Sequence, residues 1–360
     1  MIDTMRAVVL DAPGSVEALQ IRDLPIPEPE PGWVRIKVRA FGLNRSELHT
    51  RLGLAEGVTF PRVLGIEAVG VVDAAPASDL EPGQQVATLM GGMGRTFDGG
   101  YAQYTVVPRH QVIAFSSDLP WEVIGAVPET LQTAYGSLTI GLDLSHGQSL
   151  LVRGGTSSVG LAATSVAKGL GATVITTTRQ PERAQALRDH GADHVVIDDG
   201  EVADHVRDLL GGGVKAALEL VGTPTLPDTL RATRVHGTVC FTGMLSNKWT
   251  VPDFYPIDYL PTGVRLTAYS GGSSDLPAEV LQSYLDRLAA GSATLGPILV
   301  HQFDDIREAH LDLEHNRAFG KHVVLTHRDN RVALTMTERS APAECCRGPG
   351  TRSPNRSAAR

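Results

Sequence analysis

Cysteine is scarce in this 360-residue chain, with Cys240, Cys345 and Cys346 the only three. Three thiols cannot furnish a four-cysteine zinc site, and the adjacent pair cannot act as a disulfide framework. Cys240 lies in an apolar run and reads as a small buried hydrophobe. Long apolar runs are missing too, since no stretch approaches the roughly 20 uninterrupted apolar residues of a membrane helix. Met1–Leu10 enters a strand-like run directly, with no basic segment ahead of a signal-peptide core. The expected location is therefore soluble and cytoplasmic, with no membrane partner. Aromatic residues make up 5% and fall at no regular spacing, so they are assigned to core and pocket walls. An excess of basic charge is also absent. The net charge is −8, and Arg328–Arg360 alone carries seven Arg against three acids, leaving about −12 on the rest. Such a body argues against a nucleic-acid surface. Residues 329–360 are rich in Pro, Ser, Gly and Ala without apolar periodicity, and read as a disordered tail.

What the chain does contain changes character near Trp121. Before it, the β-branched runs Arg6–Leu10, Trp33–Ala40 and Ala68–Ala74 alternate with Pro-Gly turn signals at 13–14, 31–32 and 82–83. Asn44–Leu52 is helix-like. After Trp121, strands alternate with helical patterns of about a dozen residues: Ser149–Arg153, Val159–Leu170, Thr173–Thr177, Pro181–His190, His194–Ile197, Val202–Leu210, Ala216–Glu219, Pro227–Arg234 and Thr238–Thr242. This alternation predicts an α/β, doubly wound parallel sheet with helices on both faces. From about 263 the pattern loosens into Val264–Tyr269, a helix at Pro277–Ala290, and strands at Ile298–Gln302 and His322–Leu325. That section is expected to fold back onto the first. The predicted division is thus 1–122 with 263–328 as a discontinuous β-rich catalytic domain, and 123–262 as an inserted nucleotide-binding domain. The cleft between them is the expected active site.

Between the strand Ser149–Arg153 and the next helix stand Gly154, Gly155, Thr156, Ser157, Ser158, Val159 and Gly160. A Gly-rich turn there lets backbone N–H groups and the helix N-terminus face a pyrophosphate. Gly155 and Gly160 fit the first and third positions of Gly-x-Gly-x-x-Gly; Ser157 takes the second, with a hydroxyl able to donate to a phosphate. A ligand-free strand-to-helix turn is the competing reading. The next strand ends at Thr178-Arg179, where an NAD site would carry an acid for the ribose 2′-hydroxyl. Arg179 and Arg183 instead suit a 2′-phosphate, pointing to NADPH, unless they are merely two solvated surface arginines.

These features occur among others that resemble the medium-chain dehydrogenase/reductase superfamily, and within it the zinc-free quinone oxidoreductase (zeta-crystallin-like) branch. The markers, in order, are Gly65-Ile66-Glu67-Ala68-Val69-Gly70, Glu81-Pro82-Gly83-Gln84-Gln85-Val86, Ala134-Tyr135-Gly136, the phosphate loop, Ala167–Ala172, Leu220-Val221-Gly222 and Gly320-Lys321. The resemblance implies a GroES-like β-rich catalytic domain with an inserted Rossmann domain, assembled as a homodimer or homotetramer. It places Asn44 near the nicotinamide and Thr133 facing it, with Ser46 donating or relaying through a ribose hydroxyl. It also brings Val221, Gly222, Gly243, Met244 and Asn316 close to the cofactor. Zinc-dependent members hold their catalytic metal with a Cys and a His; here those positions are Asn44 and Ile66. Isoleucine cannot ligate a metal and an amide ligates zinc poorly, so no metal is expected.

Without a Lewis acid a conjugated acceptor is the easier substrate, because hydride addition leaves an enolate stabilised by conjugation. The expected function is NADPH-dependent reduction of a quinone or an α,β-unsaturated carbonyl, with Asn44, Ser46 and Thr133 as catalytic candidates. Asn44 also fits an N-cap, since Glu47 follows three residues on. His49 is a metal or proton-relay candidate, or else a packed or surface-exposed histidine. Tyr101, Tyr255, Tyr259 and Tyr269 are unranked proton donors or pocket walls, and Glu67 is read as a structural contact. Two alternatives stay open: an enoyl-thioester or specialised-metabolite enoyl reductase, and a non-catalytic NADPH-binding sensor. No clear basic patch for a CoA phosphate supports the former.

Overall fold

The computed structural model describes residues 3–315, 317 and 319–327. The expected tail, Cys345, Cys346 and the proposed cofactor contact Asn316 lie outside the described residues. Residues 1–327 cluster as one compact unit.

The first part of the chain supplies β1 (Thr4–Leu10), β2 (Leu19–Pro25), β3 (Trp33–Gly42), β4 (Arg62–Val63), β5 (Glu67–Ala74), β6 (Gln85–Leu89), β7 (Tyr104–Pro108) and β8 (Val112–Ala114). Strand β3 shows why: Val34, Ile36, Val38 and Ala40 are fully buried, while Arg35, Lys37 and Arg39 point the other way. That period of two is what a half-buried strand requires. The helix Arg45–Arg51 follows, with Asn44 in the N-cap position.

The second part supplies β9 (Ser149–Arg153), β10 (Thr173–Thr178), β11 (His194–Ile197), β12 (Val214–Glu219), β13 (Thr233–Phe241) and β14 (Arg265–Ala268). All pair in parallel, in the order β11-β10-β9-β12-β13-β14. Strands β9 and β12 are buried almost throughout, as parallel strands covered on both faces must be. The chain order along the sheet reverses between β9 and β12, the switch point at which such sheets bind dinucleotides.

Strands β15 (Ile298–Gln302) and β16 (Lys321–Leu325) then return to the first sheet, giving β15-β16-β3-β5-β6-β8 with β7 also on β3. A small sheet β2-β1-β4 lies beside it. The fold is therefore a GroES-like β-rich part combined with a Rossmann-like parallel sheet.

The return falls later than the expected residue 263. Strand β14 extends the parallel sheet by pairing with β13, and the helix Ala278–Ala289 packs Leu281, Tyr284 and Leu285 into the same core as Val166. The loosened pattern that suggested a domain change belongs to an edge strand, three of whose four residues are exposed. The helix expected at Pro227–Arg234 stops at Ala232, because β13 begins at Thr233. Sequence reading also missed the helix Ile306–Glu314.

Candidate active site

A cleft of about 1600 Å³ opens at the C-terminal ends of the parallel strands. Gly154 from β9, Thr178 from β10, Val221 from β12, and Gly243 and Met244 beyond β13 all line it.

The phosphate loop meets the cleft through Gly154, Thr156, Ser157, Ser158 and Val159. Gly154 has φ +92°, open to glycine at little cost. Gly155 and Gly160 do not reach the cleft wall; they let the loop close on itself. A Cβ on Gly155 would come within 2.8 Å of Thr176 Cβ, and one on Gly160 within 2.6 Å of the Gly154 carbonyl oxygen. Ser157 caps the helix Ser158–Gly169: its Oγ accepts from the Gly160 N–H at 3.1 Å and donates to the Gly154 carbonyl at 2.8 Å. That hydroxyl is thus spent on the loop rather than free for a phosphate. The backbone N–H groups of Thr156, Ser158 and Val159, by contrast, have no acceptor among the described residues. Three such donors at the start of a twelve-residue helix form an anion cradle, which fits a dinucleotide pyrophosphate.

At the end of β10, Thr178, Arg179 and Arg183 line the cleft with no carboxylate at that strand end. Arg183 is held with its guanidinium carbon 5.4 Å from the Phe319 ring centroid. The nearest strand-end acid, Asp198 after β11, is bound at 2.8 Å by both Nε and Nη2 of the buried Arg153. Gly222 is buried behind the wall, where a Cβ would meet the Lys248 carbonyl oxygen at 2.6 Å.

At the other sheet the cleft floor is a buried polar cluster. Asn44 Nδ2 donates to Glu67 at 3.0 Å and to Glu47 at 3.4 Å, and its Oδ1 accepts from Lys321 Nζ at 2.5 Å. Lys321 also pairs with Glu67 at 2.9 Å and Glu129 at 3.4 Å. Glu47 accepts the backbone N–H groups of Asn44 and Ile66, and Glu67 that of Glu129. Thr133 Oγ donates to Glu129 at 2.9 Å. Glu67 is only 1% exposed and Lys321 4%.

Burial pushes the Glu47 carboxyl up to about 7, against the pull of its N–H donors. It raises Glu129 as well, although Lys321 opposes the shift. Burial alone would lower Lys321, but Glu67 and Glu129 outweigh it and hold the ammonium above its usual range. Asn44 therefore has both donors and its acceptor engaged. Sequence reading gave Glu67 a structural contact and assigned no role to Lys321 or Glu129. The available signal was a lysine heading β16, a strand buried at all five positions.

Ser46 sits differently. Its Oγ accepts from Arg95 Nη2 at 2.7 Å, and its own proton has no acceptor among the described residues. Both residues line the cleft, as do Arg45 and His49. His49 Nε2 lies 3.2 Å from Asn247 Oδ1, and its ring 5.2 Å from that of Trp249. Desolvation lowers its pKa, and the charges of Arg45 and Arg95 push the same way. Arg45 and Arg95 were not foreseen. Of the four tyrosines, only Tyr269 lines the cleft, its hydroxyl donating to Asp275 at 3.0 Å. Tyr101 is fully buried against Phe41 and hydrogen-bonds His310. It is core, not a proton donor to the cleft.

Residues 30–117 match the alcohol dehydrogenase GroES-like domain family, and residues 158–289 the family described as zinc-binding dehydrogenase. Human quinone oxidoreductase is 29% identical over 333 residues, covering 89% of this chain and 98% of that protein. Among solved structures, an NAD-dependent alcohol dehydrogenase is 28% identical with TM-score 0.80, covering 90% of this chain and all of the other. The mycobacterial Rv1454c, solved in complex with NADPH, is 27% identical with TM-score 0.78, over 89% of this chain and all of its own. No helix among the described residues is long and apolar enough to cross a membrane. With a parallel sheet that switches direction at an anion cradle, the chain is a nicotinamide-dependent oxidoreductase of the medium-chain dehydrogenase/reductase superfamily, in its quinone oxidoreductase branch.

Proposed function

We propose that this oxidoreductase uses NADPH to reduce a quinone or an α,β-unsaturated carbonyl, and that it does so without a metal. The observation that carries the reading is the occupancy of the metal-ligand positions. Ile66 offers no ligand atom, and the carboxamide of Asn44 is consumed by Lys321, Glu67 and Glu47. The NADPH preference rests on Arg179 and Arg183 lining the cleft at a strand end that carries no acid.

A dihydronicotinamide held in the cleft would supply a hydride; as the β-carbon of the acceptor takes it, the C=C π pair shifts to the Cα–carbonyl bond and the C=O π pair moves onto oxygen. The residues then have to stabilise that oxygen. Ser46 is placed to donate its unengaged proton, and the Arg95 contact at 2.7 Å polarises its hydroxyl. Thr133, held by Glu129, marks the edge where the reacting ring would be seated. The buried cluster fixes Asn44 and the start of the helix that carries Ser46. A proton from solvent completes the reduction at the α-carbon.

Assembly as a homodimer or homotetramer belongs to the same proposal. It is supported by the open edge of β14 and by exposed Val235, Tyr255, Ile257 and Leu266. Light scattering on the purified protein tests that part. For the activity, NADPH oxidation is followed at 340 nm with 1,4-quinones, 2-alkenals and saturated aldehydes, with and without chelator. Turnover of the conjugated acceptors, unchanged by chelator, is expected. Loss of activity on chelation would overturn the metal-free reading, and equal rates with NADH would overturn the coenzyme preference. NADPH binding without turnover of any acceptor would favour the sensor.

A further inference from the structure

Among the described residues, Arg95 is an arginine without a counter-ion. It lies in the loop after β6, where Gly94 packs so closely on Gly65 that a Cβ would meet the Gly65 carbonyl oxygen at 2.8 Å. Backbone hydrogen bonds from Arg95 and Thr96 to the Gly92 carbonyl close the turn, so the arginine leaves a braced loop. The side chain is half-buried on the cleft wall. Its Nη2 meets the neutral Ser46 hydroxyl and its Nε, buried, meets nothing. None of its nitrogens reaches a carboxylate among the described residues. A half-buried guanidinium is normally paired, and a planar carboxylate is its best-matched partner. Arg179 and Arg183, by contrast, follow β10 in the other sheet, beside the strand end where the coenzyme's ribose is expected.

We infer that the acceptor reduced in this cleft carries a carboxylate, and that Arg95 is the residue that selects it. The inference deepens the reduction proposed above and rests on it for the word acceptor. The carboxylate pairs with Arg95 beside Ser46, which orients the conjugated carbonyl towards the donor of the Ser46 hydroxyl. Asp312 also faces the cleft, but Arg317 holds it at 3.3 Å.

The test compares (E)-4-oxopent-2-enoate with its methyl ester in NADPH turnover, and 4-oxopentanoate with its methyl ester in calorimetric binding to the NADP⁺-loaded protein. Wild type should favour each acid over its ester at least tenfold, the turnover difference residing in KM. Arg95→Met should erase that ratio, and Arg95→Lys should keep part of it. Equal handling of acid and ester by wild type would overturn the inference. So would an Arg95→Met protein that keeps the acid-over-ester KM ratio and loses only kcat, equally on both, since Arg95 would then serve only Ser46. If neither enone is reduced but 4-oxopentanoate still binds in an Arg95-dependent way, the reduction fails and the carboxylate site stands. Absence of that binding preference fells the site itself.

Discussion

Replacing Lys321 by methionine tests how the cleft floor is held together. The ammonium, 4% exposed, faces Glu67 at 2.9 Å, Glu129 at 3.4 Å and the Asn44 carbonyl at 2.5 Å. Methionine keeps the volume and removes the charge, leaving two buried carboxylates without their cation. Breaking a buried pair from one side costs about 3–5 kcal/mol. For the residues up to 327, an unfolding entropy near 2.1 cal/mol/K per residue gives about 0.7 kcal/mol/K, so Tm should drop by about 4–7 °C. The loss must also depend on pH. Lys321 itself has a folded pKa above its unfolded value, so its stabilisation is fully present below that value and lost only in strong alkali. The orphaned Glu129 carboxyl behaves oppositely across the accessible range. Burial raises it above its unfolded value, so the folded state binds its proton more tightly, and stability falls as pH rises through the raised value. The Tm deficit of Lys321→Met, read by circular dichroism, should therefore be small near pH 5 and largest near pH 8. Adding Glu67→Gln should recover part of it at pH 8. An equal deficit at both pH values, or a double variant no better than the single, would refute the electrostatic account.

Three further outcomes follow from the same geometry. Arg179→Ala with Arg183→Ala should lower the NADPH-over-NADH ratio of kcat/KM by roughly 10- to 100-fold, since a hydrogen bond to a charged group is worth about 1.5–3 kcal/mol; an unchanged ratio would show that the two arginines are solvated surface groups. Gly160→Val should abolish tight NADPH binding in fluorescence titration, because its Cβ would press on the Gly154 carbonyl oxygen at 2.6 Å and open the loop; undiminished affinity would mean that the cradle is not the phosphate site. Ser46→Ala should lower kcat at least tenfold with little change in Tm, as loss of one oxyanion donor does elsewhere; an unaltered kcat would remove Ser46 from the chemistry.

The parts of the site that are local in sequence were legible there. The phosphate loop, each strand-and-helix unit of the parallel alternation, and the missing acid after Thr178 are each contained within about 30 residues, and periodicity and turn chemistry act on that scale. Asn44 could be read as a helix cap because Glu47 lies three residues away. Its other partners could not, since Glu67 is 23 residues on and Lys321 is 277. Arg95 was missed for a related reason: an arginine in a glycine-rich loop looks solvated until the Gly94–Gly65 contact turns it into the cleft. The Val264–Tyr269 error arose because an edge strand lacks the two-sided burial that marks its neighbours as parallel strands.

Taken together, the ionisable groups give the cleft two unlike sides. On its floor one ammonium faces Glu67 and Glu129, with Glu47 close by, and burial pushes Glu47 up to about 7 and raises Glu129. Three carboxyls surround that single ammonium, so the floor offers no positive field to a reacting oxygen. On the wall, Arg45 and Arg95 both depress His49, and no carboxylate contributes to its shift. Developing negative charge is therefore drawn to the wall, where the one catalytic candidate with an unengaged proton, Ser46, also stands. Asn44, for all its place at the metal-ligand position, belongs to that floor. Its part is to hold the helix that presents Ser46, so Asn44→Ala should lower kcat and Tm together, whereas Ser46→Ala should lower kcat alone.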